Sequence, residues 1–166
     1  KIRVGYSRAE LVNDVSQIIH PSVRETLNFM KSNGNLDIHI FADLPAKTGL
    51  GSSSSFTVGF LNALYALEGK IISKQQLAEE AIYIEQQMIK ENVGCQDQVH
   101  AAFGGMNIIE FGKTEFSVRP VVISRGKYAF LDKSVMVFYT GIIRYATEIL
   151  TEQIENTKTC SKDEYL

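Results

Sequence analysis

From Gly49 to Ser55 the chain reads GLGSSSS, two glycines around a leucine and then four consecutive serines. Glycine admits positive φ and lets backbone N–H groups approach a ligand closely. An apolar stretch, residues 56–67, follows at once and is broken only by polar or small residues such as Asn62. A strand is expected before this loop and a helix after it. The first amides of that helix, unpaired and at the positive end of its dipole, would face whatever the loop encloses. Gly49, Leu50, Gly51, Ser52, Ser53 and Ser54 are therefore a candidate cradle for an anion such as phosphate. Two known templates do not apply. The P-loop needs Lys after its last glycine, where Ser52 stands, and the dinucleotide fingerprint GxGxxG needs glycine where Ser54 stands. A plain helix cap is the simpler alternative, but a cap uses one serine and leaves the others unexplained.

A second group stands out by its face. Residues 74–91 have helical periodicity, with Ser73 as N-cap and Gln76 three residues on completing a capping box. On a wheel of ~100° per residue, Leu77, Ala78, Ala81, Ile82, Ile84, Met88 and Ile89 share one arc. Glu85 falls inside that arc, about 80° from Leu77. A carboxylate on a buried face has to be paired, protonated or bound to a cation. Face position alone leaves a buried ion pair and a functional carboxylate both open. Asp97, between Gln96 and Gln98, reads by itself as a turn or cap residue in a loop over 93–98.

The elements that must hold these groups are mixed. Residues 1–6 and 36–42 suggest strands, and 21–32 a helix with Pro in its first turn and Val23, Leu27 and Met30 on one face. The serine loop leads into a helix over 53–67, a turn at 68–70 and the helix over 74–91. A small-residue helical turn precedes Gly104 and Gly105, and strands are expected at 106–111, 117–122 and 135–139. With no regular βαβ period, the fold class is α+β. A length of 166 residues with 45% hydrophobic content suits one domain with its own core. Net charge −2 without a basic cluster argues against nucleic acid as a partner. The longest apolar run falls well short of the ~20 residues that span a bilayer, so no membrane is expected. Cys95 and Cys160 are far apart and the three histidines are dispersed, which disfavours a disulfide framework and structural zinc and suits a cytoplasmic setting. The first residue is not Met, and a helical pattern begins at Arg144 close to the end; both read as a piece of a longer protein.

Residues Pro45-Ala46-Lys47-Thr48-Gly49-Leu50-Gly51-Ser52-Ser53-Ser54 resemble the PxxxGLGSS(A/S) signature of the GHMP kinases, the galacto-, homoserine, mevalonate and phosphomevalonate kinases. Asn92-Val93-Gly94-Cys95-Gln96-Asp97-Gln98, followed by Gly104-Gly105, is similar to a second motif of that family's sugar-kinase branch. The resemblance extends over nearly the whole chain. It implies an α+β fold of the GHMP N-terminal type, a ribosomal-protein-like two-layer β/α arrangement. Residues 1–140 would be this ATP-binding domain, incomplete at its N-terminus, and 141–166 the start of the connection to a missing ferredoxin-like C-terminal domain.

The resemblance also implies ATP and Mg2+ as cofactors. Gly49 to Ser54 would surround the phosphates, Ser53 and Glu85 would hold magnesium, and Asp97 would be the catalytic residue at the acceptor hydroxyl. Lys47, where the family has a small residue, and Gln96 would be further substrate or phosphate contacts. The implied reaction moves the ATP γ-phosphoryl group to the anomeric hydroxyl of a heptose 7-phosphate on the way to GDP-heptose. A kinase for another sugar, such as L-fucose or a hexose derivative, and a non-catalytic phosphate-binding module are the alternatives. The partners would be ATP and a sugar phosphate, with a homodimer left open, and these 166 residues alone are expected to turn over little. His100 is expected on a helix surface and Arg144 outside catalysis.

Overall fold

Alternation of side chains near the start of the chain builds a three-stranded sheet. The computed structural model, which describes residues 1–43, 49–112 and 115–138, places β1 (Ile2–Gly5) at its centre. β2 (Ala9–Val12) pairs with it antiparallel and β3 (Leu36–His39) parallel. Ile2 lies opposite both Val12 and Leu36, and Ile2 and Val4 project into the core. Parallel pairing of β1 and β3 requires a crossover, which α1 (Pro21–Phe29) supplies. Pro21 opens it where a missing N–H costs nothing, and the His20 side chain accepts the Val23 N–H at 3.4 Å. Val23 and Leu27 then pack fully buried with Ile2, Val4, Ile18 and Leu64.

β2 was not expected from hydropathy, and the reason is an inverted pattern. Leu11 is 66% exposed and Glu10 is 7% exposed. The Glu10 oxygens accept the Ile19 N–H at 2.7 Å, the Tyr6 hydroxyl at 2.9 Å and the His20 N–H at 3.3 Å. Burial pushes this carboxyl up, but the donors, Ile19 first, outweigh it and hold the group below its usual range. Burial lowers the His20 imidazole, against an opposing pull from Glu10. Both groups have folded pKa values below their unfolded ones, so the folded chain binds fewer protons and loses stability as pH falls. His20 acts from its ordinary value of 6.5 downward, and Glu10 from 4.5 downward. Glu10→Gln, which sets an amide N–H2 against donors, is expected to cost about 1–3 kcal/mol at pH 7. Urea midpoints across pH should show that penalty shrinking below pH 4.5. A gap between variant and wild type that stays constant down to pH 3 would contradict the assignment.

α2 (Ser52–Leu67) is the central packing element. Leu64, with Phe56 and Phe60, joins the sheet and α1, whereas Val58 and Leu61 meet Leu77, Ala81 and Ile84. Those last residues come from α3 (Lys74–Tyr83) and from a π-helical turn, Ile84–Ile89, that continues it. The helix expected over 74–91 thus changes geometry at Ile84, where the Lys90 N–H reaches back five residues to the Glu85 carbonyl. Only half of the expected capping box forms. Ser73 Oγ accepts the Gln76 N–H at 3.1 Å, but the Gln76 side chain donates to Glu80 at 2.8 Å instead of returning to Ser73.

α4 (Gln96–Phe103) begins inside the stretch expected to be a loop. Asp97 therefore stands in a first helical turn, where a negative side chain suits the unpaired amides and the dipole. A hairpin of β4 (Asn107–Phe111) and β5 (Phe116–Pro120) follows, with Ile109 opposite Val118. α5 (Arg125–Ser134) was also unexpected; among the described residues it buries none of its side chains, leaving Tyr128, Phe130 and Leu131 exposed, and its start is set by the Ser124 hydroxyl accepting the Lys127 N–H. Residues 135–138 form no strand, while residue 139, Arg144 and all of 141–166 lie outside the described residues. The architecture is α+β, and no helix among the described residues is long and apolar enough to cross a membrane.

Candidate functional site

Two helices start at one place. Gly51 caps α2 with φ +67°, preceded by Gly49 at φ +76°. A Cβ added to Gly51 would come within 3.0 Å of Asp97 Cγ and 3.1 Å of Asp97 Oδ2. Left-handed backbone and close approach both require glycine here. The contact sets the first turn of α4 against the N-terminus of α2, so unpaired amides and positive dipole ends from two helices adjoin. Gly49, Leu50, Ser53, Gln96 and Asp97 are all exposed around this junction, Leu50 by 57%. An anionic ligand can reach these groups without any part of the core opening.

Immediately inward, Glu85 is 1% exposed. Its Oε2 accepts the Ser54 hydroxyl at 2.8 Å and the Gln98 side-chain amide, while Oε1 is buried with no hydrogen-bond partner among the described residues. The ion pair that the sequence left open does not form among the described residues, because these partners are neutral side chains. Burial, and after it the charge of Glu85, push the half-buried Glu91 carboxyl up. The site therefore holds a buried carboxylate with one oxygen that has no hydrogen-bond partner among the described residues, an oxygen that could serve a hard cation, although the described residues hold no cluster of three or more acidic, histidine or cysteine side chains around it. The π-helical turn that carries Glu85 is a rare geometry that recurs where helices hold functional side chains.

The sequence-expected residues distribute as follows around this junction. Gly49, Gly51, Ser52, Ser53 and Ser54 open α2, and Gln96 and Asp97 open α4 beside them. Ser54 rather than Ser53 meets Glu85: Ser54 turns inward at 5% exposure, one residue past the outward-facing Ser53. His100 is exposed on α4, and Lys47 lies outside the described residues. Gln98, at 0% exposure, was not singled out from the sequence. The signal was available: with α4 drawn from Gln96, Gln98 shares a face with the buried Val99 and the half-buried Ala102. The assumption of a loop at 93–98 hid that face.

The sequence profile described as GHMP kinases N terminal domain matches residues 14–105. A D-glycero-alpha-D-manno-heptose 7-phosphate kinase of Campylobacter jejuni is 30% identical over 146 residues, covering 86% of this chain and 43% of its own length. A galactokinase of Pyrococcus furiosus is 37% identical over 114 residues, covering 67% of this chain and 30% of its own length. The crystal structure of a D-glycero-D-manno-heptose 1-phosphate kinase from Bacteriodes thetaiotaomicron superposes with a TM-score of 0.65 at 24% identity, over 75% of this chain and 45% of that one. The last match is one of fold. The chain spans less than half the length of each of these relatives.

Proposed function

The chain belongs to the GHMP kinase family, and from that premise we propose that it is the nucleotide-binding part of an ATP-dependent sugar kinase acting on a heptose 7-phosphate. The observation that carries this reading is the junction at Gly51. There a pair of helix N-termini suited to phosphate lies against Asp97, with Glu85 buried one layer behind. A non-catalytic phosphate module has no use for the last two groups.

Each part has a role in phosphoryl transfer. The amides from Gly49 to Ser54 and the Ser52 and Ser53 hydroxyls bind the nucleotide's phosphate oxygens and aim the γ-phosphoryl group outward from α2. Glu85, through an Oε1 that has no hydrogen-bond partner among the described residues, would hold magnesium together with a serine hydroxyl from the first turn of α2, Ser53 by the family pattern. Magnesium in that place supplies charge neutralisation at the phosphates. Asp97 accepts the proton of the sugar's anomeric hydroxyl as its oxygen bonds to the γ-phosphorus and the bond from that phosphorus to the β–γ bridging oxygen breaks. The products are ADP and the sugar 1-phosphate ester, and Asp97 returns its proton to solvent. Lys47 and Gln96 are further contacts to phosphate or sugar in this scheme. Use of ATP places such an enzyme in the cytoplasm, and a heptose 1,7-bisphosphate is the kind of precursor from which GDP-heptose is made.

Similarity to a heptose 7-phosphate kinase over 86% of the chain supports the choice of sugar, while the galactokinase relative favours a hexose as second reading. The deciding experiment offers ATP with heptose 7-phosphate, galactose or L-fucose to the full-length protein and follows products by phosphorus NMR. A new anomeric phosphate on the heptose, with much slower turnover of the other sugars, is expected. Faster phosphorylation of galactose or L-fucose would move the assignment to that sugar, and no product from any sugar would return the chain to a phosphate-binding module.

A further inference from the structure

We infer that Gln98 is a positioning residue for Glu85, fixing the carboxylate so that Oε1 is the oxygen presented to a cation; this rests on the metal reading of Glu85 given above. Gln98 is 0% exposed on the first turns of α4, and its Nε2 donates to Glu85 Oε2. Its own Oε1 is buried and has no hydrogen-bond partner among the described residues. A residue needed only to fill that volume would carry no polar atoms, since an unpaired buried oxygen is a cost that leucine or methionine avoids. The retained amide therefore serves the group it touches.

The orientation is set by the contact. Turning the amide over would place Gln98 Oε1 against Glu85 Oε2, two acceptors with nothing between them. Ser54 and Gln98 both give their protons to the same oxygen, Oε2, from α2 on one side and α4 on the other. Two donors on one oxygen define the plane of the carboxylate and leave the other oxygen free, the arrangement by which partners behind a metal ligand orient it. The Ser54 hydroxyl can rotate about its own bond to other acceptors, whereas the Gln98 amide is held by packing on α4. Gln98 is thus the firmer of the two supports.

Manganese reports this role without turnover. In the full-length protein with a non-hydrolysable ATP analogue, bound Mn2+ is counted by the loss of its free-ion paramagnetic resonance signal. Gln98→Met, which keeps the volume and removes the donor, is expected to weaken Mn2+ binding about tenfold or more. Affinity for the analogue without metal should stay at the wild-type value. Val99→Ala removes methyls from the neighbouring buried residue and is expected to lower thermal stability but leave Mn2+ affinity unchanged, which separates positioning from general loosening of α4. Should Gln98→Met fail to fold, Gln98→Asn carries the same test, because its amide is one methylene too short to reach Oε2. Glu85→Gln keeps the two readings apart. If Glu85→Gln weakens Mn2+ binding while the Gln98 variant stays within about threefold of wild type, the positioning role is overturned and the metal reading stands. If Glu85→Gln binds Mn2+ as well as wild type, the metal reading falls and this inference falls with it.

Discussion

Asp97→Asn in the full-length protein is expected to lower turnover by about 10²–10⁴, the range in which a proton acceptor contributes. The asparagine keeps the shape that packs against Gly51 and the place in the first turn of α4. Loss of the negative charge beside the helix N-terminus costs only about 0.3–1 kcal/mol of stability, so the variant remains folded. KM for ATP should change little, because the amides of α2 proposed to receive phosphate are untouched. The loss belongs in kcat, the pattern of an interaction made only as the reaction proceeds. ADP release at saturating ATP and sugar measures it. Turnover within about threefold of wild type would mean that Asp97 is not the acceptor of the proton.

Gly51→Ala is expected to be damaging by a different route. The left-handed backbone at φ +67° costs a residue with a Cβ about 1–2 kcal/mol. That carbon would also arrive 3.0 Å from Asp97 Cγ, so Asp97 has to move by a few tenths of an ångström or more. Misplacement of about 1 Å in a reacting group can cost 10²-fold in rate, so for this smaller shift a loss of about tenfold or more in kcat is expected. Gly69→Ala is the control. Its φ of +70° gives the same backbone strain just past the other end of α2, where an added Cβ meets nothing among the described residues. Both variants should lose comparable thermal stability, and Gly51→Ala alone should lose turnover. Equal, near-wild-type rates in the two would remove the close approach from the mechanism.

What could be read in the sequence was whatever depends on local pattern. The glycines of the serine loop and the apolar run behind them announce a turn into a buried helix, and α2 begins within one residue of the expected place. Glu85 was legible because one turn of helix on either side fixes its face; it is buried as the wheel requires. Partners separated by long stretches of chain were not legible. Ser54 and Glu85 are 31 residues apart, and nothing in either neighbourhood says which serine turns inward. Glu10 in β2 inverts the rule that buried positions are apolar, since backbone donors of Ile19 and His20 satisfy it from outside its own strand. The start of α4 was concealed by polar residues, Gln96, Asp97 and Gln98, that resemble a loop until their opposite faces are known. The π-helical turn at Ile84 was not anticipated, since the apolar periodicity of residues 74–91 reads as a continuous α-helix.

Asp97 and Gln98 are adjacent on one helical turn yet face different ways, one out toward Gly51 and the other in toward Glu85. Their division of labour is therefore a matter of phase, and phase is what insertions and deletions disturb. A residue added or lost upstream, between Glu91 and Cys95, can be absorbed by irregular backbone. The same change within the first turn of α4 would rotate every later side chain by about 100° and swap an outward group for an inward one.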